Sequence, residues 1–433
     1  MKIAEKQTSI FRNRNFSLVF FGSFVSDLGA VLYSFAVGFY ILEISSHNAF
    51  LQGVYLAVCG VMMLVFTPLG GVLGDRFSKA RIMFICDFLK GGSILLAALG
   101  MILLPSYTAH IAILFITGII GNAVSGIFSP AAGALLPYIV EESRLQQANA
   151  YYSIKNSLQS IFGVVLAGIL YTALPVTALF SVVGVCYIFS GISEMFIRYN
   201  FEKPDNKLTV ASVFSDMREG FDYLKGQRAV IVLMVSILFI NFFLTPVFSN
   251  FVPYFIKTDI AEADSYLFDS FMKPELWSSV LSMLVGISSL AGAMYLSMHQ
   301  EEGKCGMKIA LRLGVMAACM STLAISYWML VDRGFSLNAF LVLMCFLTIV
   351  MGAVIPFVNI KINTLIMKIV DKNQLSKVNS IISLISQGLI PFASVMAGAV
   401  LQFWGTTILL FICAAGFVVS AIYLARQPET RTF

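Results

Sequence analysis

Five ionisable side chains stand where such side chains are costly. Asp27, Asp87, Lys90, Lys155 and Glu194 all fall within or at the ends of long apolar stretches. Asp27 is the most informative. It lies 11 residues past Phe16, about 16 Å along a helix that rises about 1.5 Å per residue. If that helix spans a bilayer, the carboxylate sits near the midplane, where it must be protonated, paired or functional. This makes Asp27 the first candidate for proton or cation coupling and Asp87 the second. Asp87 lies six residues past Arg81 and three before Lys90, so it can also serve the basic loop before it or pair with Lys90 on one helix face. Lys155 and Glu194 are expected to reach water at helix ends by extending their stems. Catalytic chemistry finds little support. The histidines, His47, His110 and His299, are far apart, and the chain contains no HExxH, GxSxG or GxxxxGK[ST]. The seven cysteines have no metal-ligand or CxxC spacing. No metal or other cofactor is expected.

Long apolar helices must hold these residues. Of 433 residues 58% are hydrophobic and 12% charged, against roughly 25% charged in a soluble domain. So little charge cannot cover a water-exposed surface, and the lipid bilayer is the natural solvent. Apolar segments of about 20 residues or more recur at 16–42, 50–73, 82–104, 111–136, 148–172, 177–197, 229–256, 277–299, 309–331, 337–360, 378–403 and 406–425. The fold class expected is an all-α membrane protein with twelve transmembrane helices. A polar stretch, 198–228, divides it into six-helix bundles at 1–197 and 229–433, and VFSDMREGFDYL within the stretch has helical spacing. The first apolar segment is too long for a signal-peptide core.

Lys and Arg set the orientation. With the N-terminus inside, 24 of the 28 fall on the inner side, which predicts cytoplasmic termini in the cell membrane. The halves are also related in sequence. Residues 139–170 align without gaps to 369–400, with Ile139, Val140, Leu145, Asn149, Ser153, Val165, Ala167 and Gly168 repeated 230 positions later. Parallel duplication of a six-helix unit is a transporter plan.

Between the second and third spans lies GGVLGDRFSKAR, residues 70–81. It resembles the signature loop of the major facilitator superfamily at Gly71, Leu73, Asp75, Arg76 and Lys79. Gly71 and Gly74 would permit close helix approach. Asp75 would face a helix N-terminus, and Arg76, Lys79 and Arg81 would pair across the loop, so that the cluster latches the halves. FSPAAGALLPYIVEESRLQQAN (128–149) and GSFVSDLGAVLYSFAVGFYIL (22–42) are similar to the drug- and siderophore-exporter branch, which includes macrolide-efflux-like proteins. The chain departs from that branch in having no Arg in the fourth span, Val164 in place of a Pro in the fifth, and Ala30 where an Asp is common.

The resemblance implies a cavity lined by the first, fourth, seventh and tenth helices. On those spans it points to Tyr33, Tyr40, Asn122, Ser125, Phe239, Asn241, Phe242, Thr245, Asn250 and Asn359. Their aromatic and amide character suits a lipophilic or amphipathic small molecule. The expected function is a proton-coupled secondary transporter that exports such a molecule, not an enzyme. Uptake or facilitated transport of a metabolite or lipid, or a sensor without flux, are the alternatives. The expected partners are the small-molecule substrate, protons or another coupling ion, and the bilayer, with no nucleic acid. The chain is expected to be a monomer.

Overall fold

The structure, a computed structural model, describes residues 9–199, 218–219, 221–298, 305–370 and 375–428. Residues 200–217 and 220 of the 198–228 stretch lie outside the described residues, as does His299; the described part of its helical pattern, 218–219 and 221–224, is helical. Among the described residues, twelve helices are long and apolar enough to cross a membrane. In chain order they are α1 Arg14–Ile44, α2 Ala49–Arg76, α3 Lys79–Leu103, α4 Tyr107–Ile139, α5 Glu142–Ala173, α6 Val176–Met195, α7 Arg228–Ile260, α8 Leu276–Met298, α9 Cys305–Arg333, α10 Leu337–Ile369, α11 Leu384–Trp404 and α12 Thr406–Arg426. A helix satisfies its backbone hydrogen bonds within the segment, which lipid cannot do for it.

These helices are apolar on every side, so burial is decided by residue size rather than by an apolar stripe. On α3 the buried side carries Met83, Cys86, Asp87, Gly91, Ile94 and Ala98, while Leu89, Leu96, Leu99 and Leu103 are exposed. The small residues Gly91 and Ala98 and the polar Asp87 turn inward beside Met83 and Ile94, and the leucines turn outward, as expected in lipid.

The repeat in sequence is a repeat in structure. Helices α4 and α10 each run 33 residues and stop at Ile139 and Ile369. The next residues, Val140 and Val370, are both extended, and each N–H still bonds the carbonyl four residues back. Between α11 and α12 the chain turns at Gly405, whose φ of +87° suits a residue without a Cβ.

Two helices are locally wide. α5 opens into a π turn at Gln159–Gly163, and α7 does so at Val247–Phe251 and Ile256–Ile260. In α7, Pro253 cannot donate to the carbonyl of Ser249 four residues earlier, and the ladder there must rearrange.

Packing divides the chain into two compact units. The first takes the described parts of 9–36, 62–163 and 173–199. Its α3 and α6 meet at Gly91 and Gly184: a Cβ on Gly91 would lie 2.9 Å from the Gly184 carbonyl oxygen. Phe11, Phe16, Phe20, Tyr151 and Tyr152 form a ring cluster that ties α5 to α1. The second unit takes 37–61, 164–172 and the described residues from 218 onward. One end of each of α1, α2 and α5 therefore packs with the C-terminal helices rather than with its own sequence half. Repeat mates Gly168 and Gly398 provide matching contacts there. Gly168 faces Ser279 and Leu276 of α8, and Gly398 faces Ala49 and Gly53 of α2.

Candidate functional site

In the first unit a cavity of about 510 Å³ opens between the helices, and Asp27, Asp87, Lys90 and Lys155 all line it. Small-molecule sites span roughly 300–1,000 Å³, so its size suits an ordered organic ligand. Asp27 comes from α1, Asp87 and Lys90 from α3, and Lys155 from α5. The deciding contact is between Lys155 and Asp27. The Lys155 ammonium donates to Asp27 Oδ2 at 2.7 Å and to Ser23 Oγ at 3.0 Å, and lies 4.9 Å from the centre of the Tyr152 ring. Lys155 is 4% exposed and Asp27 45%. One turn along α5, at the start of the wide turn, Gln159 donates to the Phe24 carbonyl at 2.9 Å. This pins α5 against α1 and holds Lys155 in register with Asp27.

Lys90 donates to the Tyr187 hydroxyl at 3.2 Å and stands 4.7 Å from that ring's centre. Asp87 is buried, and its Oδ2 has no hydrogen-bond partner among the described residues. Glu194, on the same face of α6 as Tyr187, is fully buried, and neither of its carboxyl oxygens has a partner among the described residues. Lys155 and Glu194 do not extend to water at helix ends, as their sequence positions suggest. Lys155 is held by a counter-ion on another helix, and Glu194 is covered by the close α3–α6 packing that Gly91, Gly184 and Gly191 allow. Neither fact can be read from one helix alone.

A second charged cluster lies in the other unit. Lys257 of α7 donates to Glu43 of α1 at 3.1 Å and to Glu275, just before α8, at 2.8 Å. The Tyr171 hydroxyl of α5 donates to the same Glu43 oxygen at 3.2 Å. Among the described residues no group of three His, Cys, Asp or Glu side chains is arranged to hold a metal ion.

The family model described as Major Facilitator Superfamily matches residues 19–300. The chain belongs to the Major Facilitator Superfamily. By its candidate spans it is a multi-pass membrane protein of that superfamily. It is similar to two uncharacterized MFS-type transporters of Bacillus subtilis (strain 168). YkuC is 25% identical over 66% of this chain and 64% of YkuC, so the chain spans just under two thirds of that relative's length. YvqJ is 23% identical over 91% of this chain and 87% of YvqJ. Among solved structures, the nucleoside transporter NupG superposes with a TM-score of 0.69 at 14% identity, covering 95% of this chain and 98% of that one. A D-xylose–proton symporter gives 0.69 at 15% identity, covering 98% and 99%. At these identities the likeness is one of fold.

Of the residues that the sequence singled out for coupling or substrate contact, the first-unit cavity gathers Asp27, Asp87 and Ser125. Asn122 and Ser125 bond the Gly118 and Gly121 carbonyls of their own helix, at 2.9 and 2.8 Å. Tyr33 packs on Phe180, with ring centres 5.2 Å apart. In the second unit Phe239 and Phe242 pack on Phe243, and buried Asn250 donates to the Ser394 carbonyl at 3.4 Å. Tyr40, Asn241 and Thr245 are partly buried, and Asn359 is exposed. The resemblance missed the contributions of α3, α5 and α6 to the cavity: Lys90, Lys155, Tyr152 and Tyr187. The available signal was an ionisable residue within an apolar span, set aside because a long cation near a helix end usually reaches water.

In the 70–81 loop, Lys79 is buried. Its N–H donates to the Tyr199 hydroxyl at 2.6 Å, and its ammonium lies 4.4 Å from the centre of the Tyr138 ring. Arg76 and Arg81 are exposed. The Asp75 side chain lies outside the described residues. The close helix approach expected at Gly71 and Gly74 occurs one residue earlier. A Cβ on Gly70 would lie 2.6 Å from the Ile127 Cα, whereas Gly71 faces open space and Gly74 has only Ala131 at 3.8 Å. Each step along a helix turns about 100°, so a shift of one residue takes the glycine off the contact.

Proposed function

We propose that the protein is a proton-coupled exporter of an amphipathic small molecule, working by alternating access of its two six-helix halves, 1–197 and 229–433, in the cell membrane. Both termini and the 70–81 loop face the cytoplasm in this reading. The chain acts as a monomer without cofactor or nucleic acid, and the 70–81 loop latches the halves. The export direction draws on the 128–149 and 22–42 motifs of the exporter branch. It also draws on similarity to BacE of Bacillus subtilis, a proposed bacilysin exporter, 25% identical over 52% of this chain and 54% of BacE.

The observation that carries coupling is the Asp27–Lys155 pair in the cavity wall. Asp27 is half-exposed on the cavity wall, while Lys155 is buried. A proton on Asp27 removes the counter-charge from a buried ammonium, which costs several kcal/mol unless another anion arrives or the helices move. Protonation therefore acts directly on the α1–α5 contact, and a substrate that engages the pair competes with the proton. Competition of this kind exchanges one for the other. Ser125, Asn122 and Tyr33 in the first half, and Asn250, Thr245, Asn241, Phe239, Phe242, Asn359 and Tyr40, remain candidates for contact with the substrate along its path.

The test is transport by the full chain in liposomes under an imposed pH gradient. Asp27→Asn is expected to bind neutral substrates but lose gradient-driven accumulation, while Asp27→Glu keeps part of it. Accumulation by Asp27→Asn equal to that of the parent protein overturns the assignment and moves coupling to Asp87.

A further inference from the structure

Resting on that transport reading, we infer that the substrate bound in the first-unit cavity is a zwitterion, an amphipathic molecule bearing one ammonium and one carboxylate. The cavity wall holds two carboxylates, Asp27 and Asp87, and two ammonium groups, Lys90 and Lys155. Balanced charge of this kind disfavours a ligand of one sign. A simple cation on Asp27 takes the carboxylate bonded to Lys155 and leaves a 4%-exposed ammonium uncompensated. A simple anion on Lys155 meets the like charges of Asp27 and Asp87 in the same wall, with nothing of its own to offset them. A ligand with both charges supplies a counter-ion to each partner it disturbs.

Two unused bonding positions say where each end goes. Lys155 has three N–H donors and spends two, on Asp27 and Ser23. The third is available to a carboxylate. Asp87 Oδ2 is a buried acceptor without a hydrogen-bond partner among the described residues, on a side chain that lines the cavity. Such an acceptor is costly unless a donor reaches it, and a ligand ammonium is that donor. Met63, Met83 and Phe128 line the same space and suit an apolar body between the two charges. Asp87 and Lys155 are thus assigned as the specificity-determining residues.

The test uses four probes with one ring system and different charge: phenylalanine, phenethylamine, 3-phenylpropionate and phenethyl alcohol. The dipeptide Phe-Phe adds a longer zwitterion. Binding to the purified full-length protein is measured by calorimetry. Phenylalanine or Phe-Phe is expected to bind at least about tenfold tighter than the single-charge probes, the worth of one charge-assisted hydrogen bond. Lys155→Gln should remove the preference over phenethylamine, and Asp87→Asn the preference over 3-phenylpropionate. A single-charge probe that binds as tightly as both zwitterions, or no zwitterion binding at all, overturns the inference. Proton movement in liposomes separates it from the transport reading. Preferential zwitterion binding without proton movement refutes coupling and leaves the substrate class standing. Proton movement driven by phenethylamine but by neither zwitterion refutes the substrate class and leaves coupling standing.

Discussion

The Lys155 ammonium and the Asp27 carboxylate are 2.7 Å apart but unequally placed: Lys155 is 4% exposed and Asp27 45%. The pair is electrically balanced and asymmetric in solvation, so its two halves cannot be removed at equal cost.

Asp27→Asn keeps an amide oxygen that can accept from the buried ammonium but removes its counter-charge, whereas Lys155→Gln leaves a half-exposed carboxylate that water can solvate. Loss of one partner from a fully buried pair costs about 3–5 kcal/mol. Asp27→Asn should approach the lower part of that range, and Lys155→Gln should cost about 1 kcal/mol or less, as for an exposed pair. Thermal unfolding in detergent reads the order directly, and the double variant should recover most of the Asp27→Asn loss. Equal melting temperatures for the two single variants would contradict the asymmetry.

Lys257 serves two carboxylates, Glu43 at 3.1 Å and Glu275 at 2.8 Å. Lys257→Met removes both attractions and leaves two acids facing one another. Glu43→Gln removes one attraction and keeps a hydrogen-bond acceptor for Tyr171 and Lys257. Lys257→Met is therefore expected to lower the melting temperature more than Glu43→Gln does. It should also raise the reactivity of a cysteine placed at Tyr171, as the α1–α5–α7 contact loosens. A larger loss from Glu43→Gln would show that Glu43, not Lys257, organises the cluster.

The glycines divide into two classes by what a Cβ would meet. At Gly53 it would lie 2.5 Å from the Ser394 carbonyl oxygen, and at Gly398 2.5 Å from that of Ala49. These are backbone atoms, so α2 and α11 must separate. Gly53→Ala and Gly398→Ala should each destabilise by about 1–3 kcal/mol, the usual range for overpacking. Gly71→Ala faces open space and should be neutral or stabilising by about 0.5–1 kcal/mol, the helix preference of Ala over Gly. Melting curves for the three variants check this. A destabilised Gly71→Ala would restore that residue to a helix contact.

The 70–81 loop is expected on the inner side. A cysteine at Ser78 should resist a membrane-impermeant thiol reagent in sealed cells and react after permeabilisation. One placed in the acidic 257–276 segment should show the reverse. At equal protein level, Asp75→Asn should lower transport strongly without loss of helical content. Reaction of the Ser78 cysteine from outside would invert the topology.

The sequence alone carried the membrane class, the twelve helices and the twofold repeat. Each follows from composition and periodicity along the chain, and lipid permits few alternatives for an apolar segment of that length. The loop at 70–81 carried the superfamily for the same reason, being a contiguous motif. Asp27 was also legible, since a carboxylate deep in an apolar span is informative wherever its neighbours lie. What the sequence could not express was pairing across helices. Lys155 is 128 residues from Asp27 and reads, on its own helix, as a cation near an end. Only the packing of α5 on α1, held by Gln159 and the aromatic cluster, turns it into a buried counter-ion. Gly70 rather than Gly71 makes the α2–α4 contact because helix phase, set by the neighbouring helix, decides which of two adjacent glycines faces inward. The partnerships of Glu43 with Lys257 and of Gly398 with Gly53 likewise join residues remote in sequence. Such contacts depend on how helix surfaces fit together, and that fit is a property of the tertiary structure.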